Sequence, residues 1–382
     1  MVACPHALGL AIPLVVAIST TLSARNGILV RDRLALETAR ELDVVVFDKT
    51  GTLTRGEQGL VDAAAANGLD SREALALAAA VEADSEHVLA RALVNAAAER
   101  GLPVRAAQEF RALPGRGVQA RLDGRTLQVG GPRLLEQSGL QVSADLADRA
   151  RVWGSRGQTV VYLVEQRRPL AAFALADVVR PESREAVAAL KRQGIRVAML
   201  TGDSEDVAGW VADQLGIEQV FAQVLPEHKN AKIRELQQAG AEAKVAMVGD
   251  GVNDAPALAQ ADVGIAIGAG TDVAIASAGI ILIRNDPRDV PRVIALSRAT
   301  YRKMVQNLAW AVGYNAFALP AAAGALAPLG VVLPVWLGAV LMSASTIIVA
   351  INAQTLRRLR LRGSDGEGLN LMPHATSDLL AS

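Results

Sequence analysis

Three nearly uncharged apolar runs, residues 2–24, 305–324 and 333–356, bracket a long charged middle region. Each reaches about the 20 residues that cross the hydrocarbon core of a bilayer. One chain must then satisfy two solvents, unless all three runs become buried helices of a soluble protein. The flanking charges favour spanning. Arg25, Arg31 and Arg33 follow the first run, Arg302 and Lys303 precede the second, and Arg357, Arg358, Arg360 and Arg362 follow the third. The connector 325–334 carries no charge. Basic flanks stay cytoplasmic, so the middle region and the C-terminus are expected in the cytoplasm and the connector outside. No basic segment precedes the first run, which argues against a secretory signal.

The 382 residues exceed what one core usually holds, so more than one soluble domain is expected. Lys plus Arg and Asp plus Glu are both 39. That balance removes the electrostatic case for nucleic-acid binding. A single cysteine excludes an internal disulfide framework and suits a reducing compartment.

Within the middle region, residues 42–47 (LDVVVF) form a short β-branched run that ends at Asp48. Similar runs, 196–200 and 244–248, end at Thr201-Gly202-Asp203 and at Gly249-Asp250-Gly251. Helical patterns over 182–193 and 204–215 lie between them. Strand, loop and helix in repeated order predict a parallel α/β sheet whose ligands gather at the carboxyl ends of its strands. Asp48, Thr201, Asp203 and Asp250 would meet there. Residues 57–175 break the rhythm with a helical stretch and then short strands around an Asp123-Gly124 hairpin signal. They read as an inserted second domain.

The heptapeptide DKTGTLT, residues 48–54, carries the chemistry. A carboxylate at a strand end can attack the γ-phosphate of ATP and form an aspartyl-phosphate. Two further anions, Asp250 and Asp254 of GDGVNDAP, require a divalent cation of the Mg²⁺ kind. The Thr201 hydroxyl and Lys229 of PEHKNAK would neutralise the transferring group. Related soluble phosphatases place an aspartate two residues after the nucleophile as acid and base. Here that position is Thr50, which cannot do this near neutral pH. The intermediate should form readily and decay slowly.

DKTGT, TGD and GDGVNDAPAL, in this order, resemble the cation-transporting P-type ATPases, whose phosphorylation domains have a haloacid-dehalogenase-like fold. The resemblance implies phosphorylation at Asp48, an Mg²⁺ site of Asp48, Asp250 and the Thr50 carbonyl supported by Asp254, and a pocket lined by Lys49, Thr201, Gly202, Asp203, Lys229 and Asn253. VEADSEHVLA, residues 81–90, resembles the SEHPLA signature of the heavy-metal subgroup, with Glu82 and His87 at adenine-binding positions and Val88 in place of a proline. LPGRGVQA, residues 113–120, reads as a glycine pair, Gly115 and Gly117, that lets backbone approach the nucleotide. Where the family often has Val-Gly-Asn, this chain has Val129-Gly130-Gly131, so an asparagine contact to the nucleotide is lost.

In the first run, Pro5 and Pro13 lack the N–H and free backbone carbonyls, including that of Gly9. Freed backbone at membrane depth is tolerated where it lines a polar site. Cys4 and His6 add a soft-to-borderline donor set suited to copper, silver or zinc. A buried thiol beside a helix kink is the structural alternative. Tyr314 and Asn315 of GYN, and Met342, Ser343 and Ser345 of MSASTIIVAINA, place polar groups in the other two runs. Such groups mark a pathway or serve as helix–helix glue. With CPH they resemble the bacterial copper/silver exporters of the Cys-Pro-His type.

The expected organisation is therefore an α/β haloacid-dehalogenase-like phosphorylation domain (36–56 and 176–298) with an inserted α+β nucleotide-binding domain (57–175). Three transmembrane helices (1–24, 304–324 and 333–356) and a disordered tail (363–382) complete it. The expected cofactors are Mg²⁺ and ATP, and the expected cargo is a copper or silver ion. A multi-pass protein of a bacterial inner or plasma membrane is implied. Pumps of this family also have an actuator domain with a Thr-Gly-Glu loop, a tripeptide missing from this sequence. The chain is accordingly expected to be the C-terminal part of a pump, partnered by a separate N-terminal portion. A membrane-tethered phosphohydrolase and a non-transporting ATP- and metal-binding fragment are the competing readings.

Overall fold

The computed structural model describes residues 6–66, 68–239, 243–268, 271–325, 334–359 and 361. They divide into two compact units, Ser23–Tyr301 and a second built from Met1–Leu22 with Arg302–Ser382. The chain opens with helices α1 (His6–Ala11) and α2 (Pro13–Arg25).

The larger unit begins with β1 (Ile28–Val30), α3 (Arg33–Thr38) and β2 (Val44–Asp48). β2 is apolar without alternation because both of its faces are covered. Val45 and Phe47 enter one core, Val44 and Val46 another, and all four are fully buried.

The inserted domain then runs β3 (Thr54–Ala65), α4 (Ser71–Glu82), α5 (Val88–Glu99), β4 (Gln108–Leu113), β5 (Gly117–Leu122) and β6 (Arg125–Gly130). It ends with α6 (Pro132–Ser138), α7 (Ala144–Ser155), β7 (Thr159–Glu165) and β8 (Arg168–Val179). Its six strands form an antiparallel sheet in the order β3-β8-β7-β6-β5-β4. Helices cover both faces: along β7, Val161 and Leu163 pack with α4 and α5, while Val160, Tyr162 and Val164 pack with α6 and α7. Asp123 and Gly124, at φ 52° and 78°, join β5 to β6 as a two-residue turn with left-handed backbone at both positions. The first and last strands, β3 and β8, pair from Thr54 opposite Val179 to Ala65 opposite Ala171. The bounds 57 and 175 expected from sequence fall inside this ribbon. Residues 55–59 (RGEQG) belong to the strand, and Gln58 and Gly59 pair with Asp177 and Ala176.

The chain then returns to the first sheet. In order come α8 (Pro181–Arg192), β9 (Arg196–Leu200), α9 (Glu205–Leu215), β10 (Gln219–Phe221), α10 (Lys229–Gln238), β11 (Val245–Gly249), α11 (Ala255–Gln260), β12 (Val263–Ile267), α12 (Asp272–Ser277), β13 (Ile280–Leu282) and α13 (Asp289–Ala322). The seven strands lie in the order β1-β13-β12-β11-β2-β9-β10, all parallel except the β1–β13 pair. The winding leaves β2 through β9 to β10, then crosses back to β11 and continues through β12 to β13. Its direction reverses between β2 and β11, which opens a crevice at their carboxyl ends.

The smaller unit contains α1, most of α2, the later part of α13 and α14 (Val335–Gln354). Among the described residues one helix, Trp336–Arg358, is long and apolar enough to cross a membrane, and Gly9–Arg25 is a shorter apolar helix. The run 305–324 lies within α13 down to Ala322, where Asn307, Tyr314 and Asn315 dilute its hydropathy. The tail 363–382 and Cys4 lie outside the described residues.

Candidate active site

β2 and β11 pair in parallel with Phe47 opposite Val248, so Asp48 and Asp250 come side by side at the crevice. Asp254 enters from the 3-10 turn Val252–Asp254. Carboxylate oxygens of the three lie within 4.8 Å of one another. Asp48 and Asp254 are buried and Asp250 is half-buried. Two glycines make room for this crowding. Gly51 has φ 76°, and a Cβ there would stand 2.0 Å from Asp250 Oδ2. A Cβ at Gly249 would stand 2.6 Å from Asp254 Oδ2.

Lys229 opens α10 and is buried between two of the acids. Its Nζ donates to Asp48 Oδ1 at 2.5 Å and to Asp254 Oδ1 at 2.6 Å. One ammonium does not balance three carboxylates. Burial, and then the charge of Asp254, push the Asp48 carboxyl up to about 7 against the pull of Lys229. Burial and then Asp254 also raise Asp250. Burial alone would lower Lys229, but Asp48 and Asp254 outweigh it and the group is raised. The surplus negative charge and the all-oxygen donor set fit a hard divalent cation. Asp48 and Asp250 with the Thr50 carbonyl could hold Mg²⁺, with Asp254 fixed behind them by Lys229 and by the Gly251 N–H at 3.2 Å.

The remaining expected residues sit at the same end of the sheet. β9 lies beside β2 with Leu200 opposite Asp48, which brings Thr201, Gly202 and Asp203 to the crevice. Thr201 is buried and its Oγ1 accepts from the Asp203 N–H at 3.2 Å. Lys49 is buried and pairs with Asp203 at 2.7 Å and Asp177 at 3.3 Å. Thr50, Gly202 and Asn253 are exposed.

Asp177 and Arg180 were missed by the sequence reading. Asp177, on β8, accepts from Thr54 Oγ1 at 2.5 Å and from the Gly56 N–H at 2.9 Å, besides pairing with Lys49. Arg180 donates from Nε to the Thr54 carbonyl at 2.9 Å and from Nη2 to the Gly51 carbonyl at 3.3 Å. Together they tie the end of the ribbon to the DKTGTLT loop. A signal was present: residues 177–183 (DVVRPES) put an acid and a base at the end of an apolar strand, just before a proline that starts a helix.

In the inserted domain, Glu82 ends α4 and is buried, and burial pushes its carboxyl up to about 7 against a hydrogen bond from Ser85. His87 caps α5, its Nδ1 accepting from the Leu89 N–H at 3.2 Å. Val88 takes the first helical position, which proline also favours, so the helix starts there despite the replacement. Gly115 and Gly117 turn β4 into β5 with φ 71° and 136°. A Cβ at Gly117 would stand 2.0 Å from the Val129 carbonyl oxygen, so packing on β6 already demands that glycine.

In the helical unit, His6 opens α1. Tyr314, Asn315 and Met342 are half-buried, and Ser345 is buried. The Tyr314 and Ser345 hydroxyls have no hydrogen-bond partner among the described residues. Ser343 differs: it is exposed and donates to the Ala339 carbonyl at 3.0 Å.

A family profile for haloacid dehalogenase-like hydrolases matches residues 42–262, the span that holds Asp48, Asp250 and Asp254. The chain belongs to this hydrolase family. It is 53% identical over 357 residues to copper-exporting P-type ATPase B of Archaeoglobus fulgidus, covering 94% of this chain and 51% of that protein. To copper-exporting P-type ATPase B of Enterococcus hirae it is 43% identical over 358 residues, covering 94% and 47%. A crystal structure of a zinc-transporting PIB-type ATPase superimposes with a TM-score of 0.82 at 35% identity, covering 94% of this chain and 56% of that one. A second crystal structure of a zinc-transporting PIB-type ATPase, in another state, gives 0.76. The resemblance to heavy-metal P-type ATPases therefore holds across nearly the whole chain, which spans about half the length of the curated relatives it matches.

Proposed function

We propose that this chain is the catalytic and C-terminal membrane portion of an ATP-driven heavy-metal exporter that works through an aspartyl-phosphate at Asp48. The observation that carries the reading is the cluster of Asp48, Asp250 and Asp254 around Lys229 at the switch point of the sheet. Lys229 holds Asp48 oriented and biased toward its anion. Asp48 Oδ attacks the γ-phosphorus of ATP, the bond to the β–γ bridging oxygen breaks, and ADP leaves with that electron pair. Bound Mg²⁺ would offset the charge of phosphate and carboxylates together. In this reading Thr201 and Lys229 hold the transferred group, and Glu82 and His87 hold adenine.

Thr50 stands where a phosphatase needs its base, so the product persists until a base arrives from elsewhere. We assign that base to the Thr-Gly-Glu loop of an actuator domain. Copper, with silver as a chemical neighbour, is the proposed cargo. The soft donors Cys4, His6 and Met342 support it, as do the names of the relatives. The chain would lie in a membrane with Ser23–Tyr301 on the cytoplasmic side.

The test is a time course of label from γ-³²P-ATP with Mg²⁺ and acid quench. The expected result is hydroxylamine-sensitive label that persists in the wild type and is abolished by Asp48→Asn. Rapid decay to phosphate would favour the phosphohydrolase, and equal label on the variant would remove Asp48 as nucleophile.

A further inference from the structure

Gly157 turns α7 into β7 with φ 67°, and a Cβ there would stand 2.0 Å from Val207 Cγ2 on α9. The inserted domain therefore touches the domain of the first sheet at a second place, besides the β3–β8 ribbon that carries its chain connections. Both sides of this contact are held firmly. Trp153 is 3% exposed and donates from Nε1 to Asp62 Oδ2 on β3 at 3.1 Å. Its carbonyl accepts the N–H groups of Arg156 at 3.1 Å and Gln158 at 3.0 Å. β7 then starts with Thr159 opposite Leu175, close before Asp177 on β8. On the other side, Val207 lies in the first turn of α9, one helical turn after Asp203, which pairs with Lys49 at 2.7 Å. Two strands alone are a pliant mount. A second support near the foot of the ribbon limits its bending, because close-packed atoms resist compression. With the ribbon as pivot, any shift at this point swings β4, at the far edge of the sheet, further still.

We propose that Gly157 and Val207 are positioning residues for phosphoryl transfer: their contact sets how far the inserted domain closes over the crevice, and so whether the γ-phosphate of a nucleotide held by that domain reaches Asp48. The proposal rests on the reading that Asp48 is phosphorylated from ATP. Both residues act through the separation of the two domains, and neither carries a group that enters the chemistry. A small donor with no adenine bypasses the contact. Acetyl phosphate is such a donor: Asp48 Oδ attacks its phosphorus, the bond to the acyl oxygen breaks, and acetate leaves with that electron pair.

The experiment measures labelling rates of the full chain in detergent, with Mg²⁺ and saturating γ-³²P-ATP or ³²P-acetyl phosphate. Gly157→Ala should slow labelling from ATP by about tenfold or more, since small misplacements of reacting groups are that costly. Labelling from acetyl phosphate should stay within about twofold of wild type. Adding Val207→Ala removes Cγ2 and leaves the Cβ of residue 207 at 3.3 Å from the new carbon. The double variant should therefore recover most of the rate from ATP. A loss that Val207→Ala does not rescue traces the effect to backbone strain at residue 157 and overturns the proposal. Equal losses with both donors, or no loss with ATP, overturn it as well. A wild-type chain that takes no label from ATP overturns the reading beneath the proposal, and the proposal with it. Label from acetyl phosphate alone then locates that failure in the nucleotide site rather than at Asp48.

Discussion

At Gly51 the φ of 76° and the Asp250 carboxylate that a Cβ would meet at 2.0 Å make two separate demands on one residue. Gly51→Ala must either rotate the loop or displace Asp250. Phosphorylation from ATP should fall by about 100-fold or more, equivalent to about 2.7 kcal/mol of barrier, in a rapid-quench assay. Unchanged labelling would mean that the loop adapts freely. Glu82 makes a pH prediction. Its carboxyl is raised in the folded protein from 4.5 to about 7, chiefly by burial. Such a group favours folding below its unfolded value, and that contribution is lost as pH climbs through the folded value. Relative to Glu82→Gln, the wild type should lose on the order of 2 kcal/mol between pH 4.5 and 7. Melting curves of both proteins across that window read it directly, and parallel curves would place Glu82 in solvent.

The elements divide into those that local pattern dictates and those that it does not. Strands β2, β9 and β11 were legible because each is buried on both faces and ends at a polar loop, a pattern no amphipathic helix produces. The β3–β8 ribbon was not legible, and the domain bounds 57 and 175 fall inside it. Residues 55–59 are polar with two glycines, and their strand conformation comes from pairing with residues distant in sequence. For the same reason Asp177 escaped notice, since its partners Lys49, Thr54 and Gly56 are near it only once the ribbon has formed. Breaking that knot by Asp177→Asn leaves buried Lys49 with Asp203 alone. The loss should be about 2 kcal/mol of unfolding free energy, below the 3–5 kcal/mol of a fully orphaned ion because one partner remains. Labelling at Asp48 should slow about tenfold; a chemical-denaturant midpoint equal to the wild type would reduce the ion pair to a surface contact. The carboxylate cluster was readable from motif order alone, whereas the capping role of His87 and the packing role of Gly117 needed coordinates. The residues proposed to bind the ion divide likewise: the Tyr314 and Ser345 hydroxyls have no partner among the described residues, while Ser343 bonds back to its own helix.

On the scale of the whole molecule, two compact units mean that a ligand of one need not stabilise the other. A nonhydrolysable nucleotide at about 100 times its Kd should add about 2.7 kcal/mol to the opening of Ser23–Tyr301. Hydrogen exchange should slow in β7 and α4 and stay unchanged in α14; slowing in both units alike would show that they open as one. The pairing of Thr54 with Val179 has a further consequence, for the order of assembly. The strands β2 and β9, neighbours in the first sheet, are separated in sequence by the whole inserted domain. Closing so long a loop from a disordered chain is slow. Once the inserted domain has folded, however, its two ends are held one strand apart, and the long loop has become a short one. The domain placed in the middle of the gene thus serves as a splint: it should gain protection first in refolding experiments, and the sheet that surrounds Asp48 should close around it afterwards.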